Sequence, residues 1–369
     1  MAKLFGAFTN RLRLESAFCC PGQALTGPPR TTLFGRVAGA AMVALVLTGC
    51  ASTPPDRRAD VERLTRQIAA MPGVHAARED FHDSPAQGMV DFRIDVDVSD
   101  QLTGEQAAAM VARYLVGLDS GTFRGYRAEL DLRRGWNVFA VDSGDRRIAN
   151  IDQLVQQARD WVALRHEFPS STVTLRATIV HPSGPLAVQE QGRSNTASIE
   201  LPDNADYAAV AAVVSTLSAR FAHLAAMEWK VTAGKLHPGQ ITTTRRFPTA
   251  AELDVWNKLN ADQSIAHIDA LQINGPVTPP VWFSEKTIES RAVALAMQLA
   301  ERHLPFVATL PAPVLYSASD QLSGHIGGGG YARGPVSVTV GGCTPRDPRV
   351  YLPIPAEQAL IDRYAKCHR

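Results

Sequence analysis

Residues 91–98 alternate without interruption: Phe92, Ile94, Val96 and Val98 are apolar, and Asp91, Arg93, Asp95 and Asp97 between them are charged. Successive side chains of a strand point to opposite faces, so this stretch is a strand with one face buried and the other in water. A sheet of such strands needs cover on one side only. The next segment has the pattern of a covering helix: Thr103 and Gln106 form a capping box, and Ala107, Met110, Val111, Tyr114, Leu115 and Leu118 fall on one stripe.

The same grammar recurs along the chain. Val61, Leu64, Ile68 and Met71 predict a helix over 58–71, stopped by Pro72-Gly73. Strands are expected at Arg127–Arg133 and Trp136–Val141, after which Asn150 with Gln153 opens a helix carrying Ile151, Leu154, Ala158 and Trp161. Val173, Leu175, Ala177 and Ile179 alternate with Thr172, Thr174, Arg176 and Thr178, and the Pro/Gly/Ser-rich stretch 182–194 separates this strand from one at 195–201. Asp203 is expected to cap the helix carrying Tyr207, Val210, Val214, Leu217 and Phe221, followed by strands at Met227–Thr232 and Gln240–Arg245. Thr249 with Glu252 boxes a helix with Leu253, Trp256 and Leu259, and strands follow near 264–273 and 280–283. Ser284 is expected to cap a last long helix with Ile288, Ala292, Leu295 and Leu299, and Trp282 and Phe283 read as its buried staple.

Opening helices near 58, 150 and 250 and second helices near 103, 204 and 285 give three α-β-β-α-β-β units. Shifted by one strand, each unit resembles the ferredoxin-like split β-α-β topology, an antiparallel sheet with helices on one face. The expected fold is therefore α+β with tandem ferredoxin-like repeats at 58–145, 146–247 and 248–342, then a C-terminal segment 343–369. One continuous sheet with helices stacked beneath it is the alternative.

The N-terminal segment carries a different message. Val37–Leu47 is uncharged, follows Arg36, and runs into Leu47-Thr48-Gly49-Cys50. This resembles the lipobox of bacterial secreted lipoproteins, and the apolar run is too short for a bilayer core that takes roughly 20 residues. The resemblance implies a signal peptide over 1–49, diacylation of Cys50, a polar tether at 50–57, and a protein held at the extracytoplasmic face of the cell membrane by lipid. It says nothing about the fold of the body. Six lysines against 31 arginines fit GC-rich coding and an actinobacterial source.

Removal of residues 1–50 leaves a net charge of −3, and no basic run exceeds a pair such as Arg133-Arg134 or Arg245-Arg246. Nucleic acid is thereby excluded as an expected partner. After Cys50 only Cys343 and Cys367 remain, an even pair that outside the cytosol reads as a disulfide. Closing the segment 343–367 would contribute roughly 3 kcal/mol through loop entropy, less what its prolines already restrict.

No Gly-x-Ser-x-Gly elbow, His-Glu-x-x-His, Ser-x-x-Lys or P-loop occurs, so no catalytic, cofactor or metal residue is assigned from the sequence. Asp91, Asp95, Asp97 and Asp100 lack the glycine and loop geometry of a calcium cage and read as a solvated sheet face. Ten histidines are scattered, none paired at i, i+4 on an expected helix. The glycine tract 324–330 reads as a loop.

These features point to a non-enzymatic, lipid-anchored envelope protein that binds or scaffolds another envelope protein or a wall component. Its competitors are a carrier enclosing an apolar ligand and a wall or lipid hydrolase. Two acyl chains hold a protein on a membrane where one gives only marginal binding. Cys50→Ser is therefore expected to move the protein from the membrane pellet to the soluble fraction or leave it unprocessed; membrane retention with unchanged processing would reject the lipobox.

Overall fold

The computed structural model describes residues 55–367 apart from 85–88, 124–125, 144–147, 180–194, 237, 276–277, 289–292, 320–324, 328–330, 334 and 345–351. Cys50, the segment 1–49 and most of the tether lie outside the described residues, as do the stretch 182–194 and the glycines of the 324–330 tract other than Gly327. Residues 54–369 form one compact unit.

Its elements come as a helix followed by a hairpin, six times over. Helix α1 (Arg58–Ala69) leads into β1 (Val74–Ser84) and β2 (Met89–Val98); α2 (Gly104–Asp119) into β3 (Arg127–Arg134) and β4 (Asn137–Ser143). Helix α3 (Ile151–Glu167) precedes β5 (Thr172–Thr178) and β6 (Thr196–Glu200), and α4 (Tyr207–Arg220) precedes β7 (Glu228–Thr232) and β8 (Gln240–Thr243). Helix α5 (Ala250–Ala261) is followed by β9 (His267–Ile273) and β10 (Val281–Thr287), and α6 (Val293–Val307) by β11 (Val314–Ser319). A small hairpin, β12 (His325–Gly327) with β13 (Tyr331–Arg333), intervenes before β14 (Val336–Val340), and α7 (Pro355–Tyr364) closes the chain.

All strands except β12 and β13 join one mixed sheet of 12 in sequence order, from β1 to β11 and then β14. Within each hairpin the strands are antiparallel, while the two strands flanking each of α2 to α6 are parallel neighbours, as in β2–β3 and β10–β11. The α+β expectation holds at this level. The ferredoxin-like topology does not, because a split β-α-β leaves a third strand between the two that a helix joins, whereas here those two pair directly. The sheet is also mixed and not purely antiparallel, and it joins strands on either side of the expected unit boundaries, β4 pairing with β5 and β8 with β9.

Register keeps the buried face in phase. Val173 lies opposite Ile199, and the row continues through Val231, Ile241, Leu271, Phe283, Tyr316 and Val338. Every member is buried, in one hydrophobic cluster that also takes in residues of all seven helices. Trp161, Trp229 and Trp256 fill this layer, and each indole N–H donates to a backbone carbonyl, of Val173, Leu224 and Tyr207. The opposite face of the first strands is polar: Arg133 donates to Asp95 at 2.9 Å, and Arg176 reaches Glu129 at 2.7 Å and Asp142 at 3.2 Å. Asp95 thus sits in an ion-paired sheet face, with Arg93 and Arg78 also within 4.0 Å.

Helix starts follow local chemistry. The capping boxes at Thr103 and Thr249 form as the sequence indicates. Helix α4 is capped by Asp206, whose carboxylate accepts from the Ala209 N–H, and not by Asp203, which stands three residues earlier and faces Lys235 at 3.4 Å. Ser284 caps nothing: it lies inside β10, and the next helix starts at Val293. Trp282 and Phe283 are both buried, but on opposite faces of that strand, Trp282 against Leu315 and Phe283 in the main core.

The last strand would leave an open edge. Instead the Ser337 N–H donates to Glu357 Oε1 and the Thr339 N–H to Thr344 Oγ1, both at 2.9 Å, and α7 packs alongside. Cys343 and Cys367 lie at disulfide-bonding distance, Cα atoms 4.4 Å apart, joining the end of β14 to the end of α7. Side chains cap the donors that an edge strand otherwise offers to another chain.

Facing determines the cost of substitution. Ile94→Ala removes a fully buried side chain and is expected to cost about 2–5 kcal/mol. Arg93→Ala, one residue away on the water side, should stay within about 0.5–1 kcal/mol. Urea unfolding of both variants checks the contrast, and similar costs would show that the two faces are misassigned.

Candidate functional site

Among the described residues the buried face carries a cluster of ionisable side chains between β9, β10, β11 and α6. His267 and Asp269 stand at alternate positions of β9, where Leu271 and Ile273 continue the core. Glu285 lies directly across from Asp269 on β10, Tyr316 follows on β11, and α6 lays His303 over them. The side chains of His267, His303 and Glu285 are 0% exposed and that of Asp269 is 2% exposed. Ionisable groups in an apolar layer must compensate one another or a bound ion.

Their contacts form a chain. Tyr316 Oη donates to Glu285 Oε2 at 2.6 Å, and His303 Nδ1 lies 2.7 Å from Glu285 Oε1. The other nitrogen of His303 points outward, 3.5 Å from Asp262 Oδ2 at the rim. His267 Nδ1 lies 2.6 Å from the Ile265 carbonyl, which can only accept, so this nitrogen carries the hydrogen and Nε2 turns inward, 3.4 Å from Asp269 Oδ2. His267 Nε2, His303 Nε2 and both Asp269 oxygens have no hydrogen-bond partner despite their burial. One ligand atom each from His267, Glu285 and His303 can be chosen so that all lie within 4.8 Å of one another.

Electrostatics follow from that packing. Burial disfavours the charged imidazolium of His267, but the carboxylates of Asp269 and Glu285 outweigh it and push the pKa up to about 9. His303 is likewise raised, burial being overcome by the Glu285 hydrogen bond and charge. Burial, reinforced by the charge of Glu285, raises Asp269 to about 6 against the pull of His267. Tyr316 is held well above its ordinary value by burial and by Glu285. At the rim, the hydroxyl of Ser264 and the guanidinium of Arg302, whose Nε and Nη2 lie 2.8 and 2.6 Å from Oδ2, keep Asp262 well below the usual carboxylate range.

The sequence assigns no catalytic, cofactor or metal residue, so this convergence was not foreseen: 36 positions separate His267 from His303, and no local spacing joins them. A signal was present, because the alternation His267-x-Asp269-x-Leu271-x-Ile273 sets both polar residues on the core side of a strand. Of the residues singled out from sequence, Cys343 and Cys367 are brought together far along the chain from this cluster, and Cys50 is outside the described residues. No family model matches this chain, and neither a curated protein nor a solved structure matches it.

The raised histidines tie stability to pH. The native state holds a proton on His267 up to about pH 9 that the unfolded chain releases near 6.5, so native binds more protons in this window and stability falls as pH rises through it. Asp269, Glu285, His303 and Tyr316 face His267 from β9, β10, α6 and β11, and the carboxylates among them set the sign. Urea midpoints measured from pH 6 to 9 should decline, by on the order of 3 kcal/mol in stability, and Asp269→Asn should flatten the slope. Stability that is flat or rising across this window in the unmodified chain would contradict the assignment.

Proposed function

We propose that this chain is a non-enzymatic, lipid-anchored protein of the bacterial cell envelope, held to the membrane through Cys50, that binds or scaffolds another envelope protein or a wall component with the uncovered face of its sheet. One observation carries the reading: among the described residues every helix shares the core side of the sheet, and the other side of β1 to β8 presents a broad polar surface. Arg93, Asp95 and Arg133, then Thr174, Arg176 and Ser198, and finally Glu228 and Lys230 line it, none of them fully buried. Both signs of charge are interspersed there, which suits recognition of a polar partner better than of nucleic acid.

Two further facts support binding over the competing readings. The layer between helices and sheet is filled by Trp161, Trp229, Trp256, Phe139 and Tyr114, where a carrier would keep a cavity for an apolar ligand. The His–carboxylate cluster lies out of reach of a substrate, its four acid–base side chains 0–2% exposed. Among the described residues no helix is long and apolar enough to cross a membrane, so lipid on Cys50 would supply the anchor.

Photo-crosslinking in the native envelope tests this. A crosslinker placed at Thr174, Ser198 or Lys230 should give a discrete adduct that one at Arg63 or Asp254, exposed on the helix side, does not, and Arg176→Glu should weaken the adduct several-fold. Equal labelling from both sides would refute the sheet face as the binding surface.

A further inference from the structure

We propose that His267, Glu285 and His303 form a buried site for one divalent transition-metal ion of the zinc class, with the Asp269 carboxylate beside His267 as a neighbouring counter-charge. The donors come from β9, β10 and α6, and the ligand atoms of the three lie within 4.8 Å of one another. Zinc binds imidazole nitrogen and carboxylate oxygen in four-coordinate sites, whereas Mg²⁺ and Ca²⁺ take six or more oxygens, more than converge here.

The surroundings are those that hold metal ligands in place. The Ile265 carbonyl 2.6 Å from His267 Nδ1 fixes that nitrogen as the one that keeps its hydrogen and leaves Nε2 as the ligand atom once its proton is lost. Tyr316 holds one oxygen of Glu285 at 2.6 Å, leaving Oε1 facing His303. A hydrogen bond from the far side of each ligand is the usual outer shell of a metal-bound imidazole or carboxylate. Both oxygens of Asp269 and Nε2 of His267 are buried without a hydrogen-bond partner, an arrangement that an apolar interior penalises. One cation satisfies several of them together. Its two positive charges take over from those of the two imidazoliums in balancing the carboxylates. Two protons therefore leave to solvent as the ion binds, one from His267 Nε2 and the one now lying between His303 Nδ1 and Glu285 Oε1, and both imidazoles become neutral.

The test uses the full chain, extracted in detergent and stripped with chelator, then titrated with Zn²⁺ and with Co²⁺. One equivalent should bind, with the visible absorption of low-coordinate Co²⁺ that Zn²⁺ then abolishes. Tyr316→Phe, which removes only the outer hydrogen bond, should weaken binding ~10-fold. His267→Gln and Glu285→Gln should weaken it by more than ~100-fold with the far-UV circular dichroism unchanged; if these two fail to fold, the Tyr316→Phe affinity and the Co²⁺ spectrum decide. A folded, unmodified chain that takes up neither ion overturns the proposal, the cluster then being held by its own protons. So does uptake whose affinity is unchanged in Tyr316→Phe, which would place the ion elsewhere. Neither result bears on binding by the sheet face, which the crosslinking measures separately.

Discussion

The fold depends on the phase of side-chain alternation being kept across twelve strands. A slip of one residue at any pairing would turn every following apolar side chain outward. The row from Val173 to Val338 crosses eight strands and both kinds of pairing without losing phase, and it stays buried throughout. With the main apolar cluster on one side, each helix that carries the chain from one hairpin to the next crosses on that side. The layered form and the polar outer surface both follow from this single condition.

Much of this was legible because it is local. Capping boxes at Thr103 and Thr249 join residues three apart, and the alternation at 91–98 is complete within one strand. Strand neighbours are not local. A run of helix, strand, strand suits a ferredoxin-like unit and a sequentially ordered sheet equally well, since both need single-faced strands under helices, and only pairing across a helix separates them. Ser284 was misread for a related reason. A serine after two aromatics looks like a cap after a staple, yet Glu285 and Thr287 keep the strand's period and the chain stays extended to Thr287. Asp206 displaced Asp203 because two carboxylates precede the same apolar run and only one stands immediately before the first helical residue.

The buried cluster shows what periodicity can locate and what it cannot. Alternation places His267 and Asp269 on the core side of β9, but the partners on β10 and α6 become neighbours only through sheet register and helix crossing. Its members also constrain one another chemically: Glu285 accepts from both Tyr316 and His303, so exchanging any of the three for an apolar residue leaves at least one remaining polar atom without this partner. Between Leu271 and the rim at Asp262 the core is thus specified by directional contacts as well as by volume.

The two ends of the sheet are unlike. At β14 the edge N–H groups of Ser337 and Thr339 are occupied by Glu357 and Thr344, whereas among the described residues β1 pairs with β2 alone and presents Arg78, Glu79, Asp80 and His82 along its length. Helix packing likewise links consecutive helices, as in α2 with α3 and α5 with α6. An array built in this way has a terminator at one end and no intrinsic length. Whole helix–hairpin units can be gained or lost between the edges without disturbing the phase of those that remain, so descendants of such a chain can differ in reach by discrete steps of two strands while the sealed terminus is inherited intact.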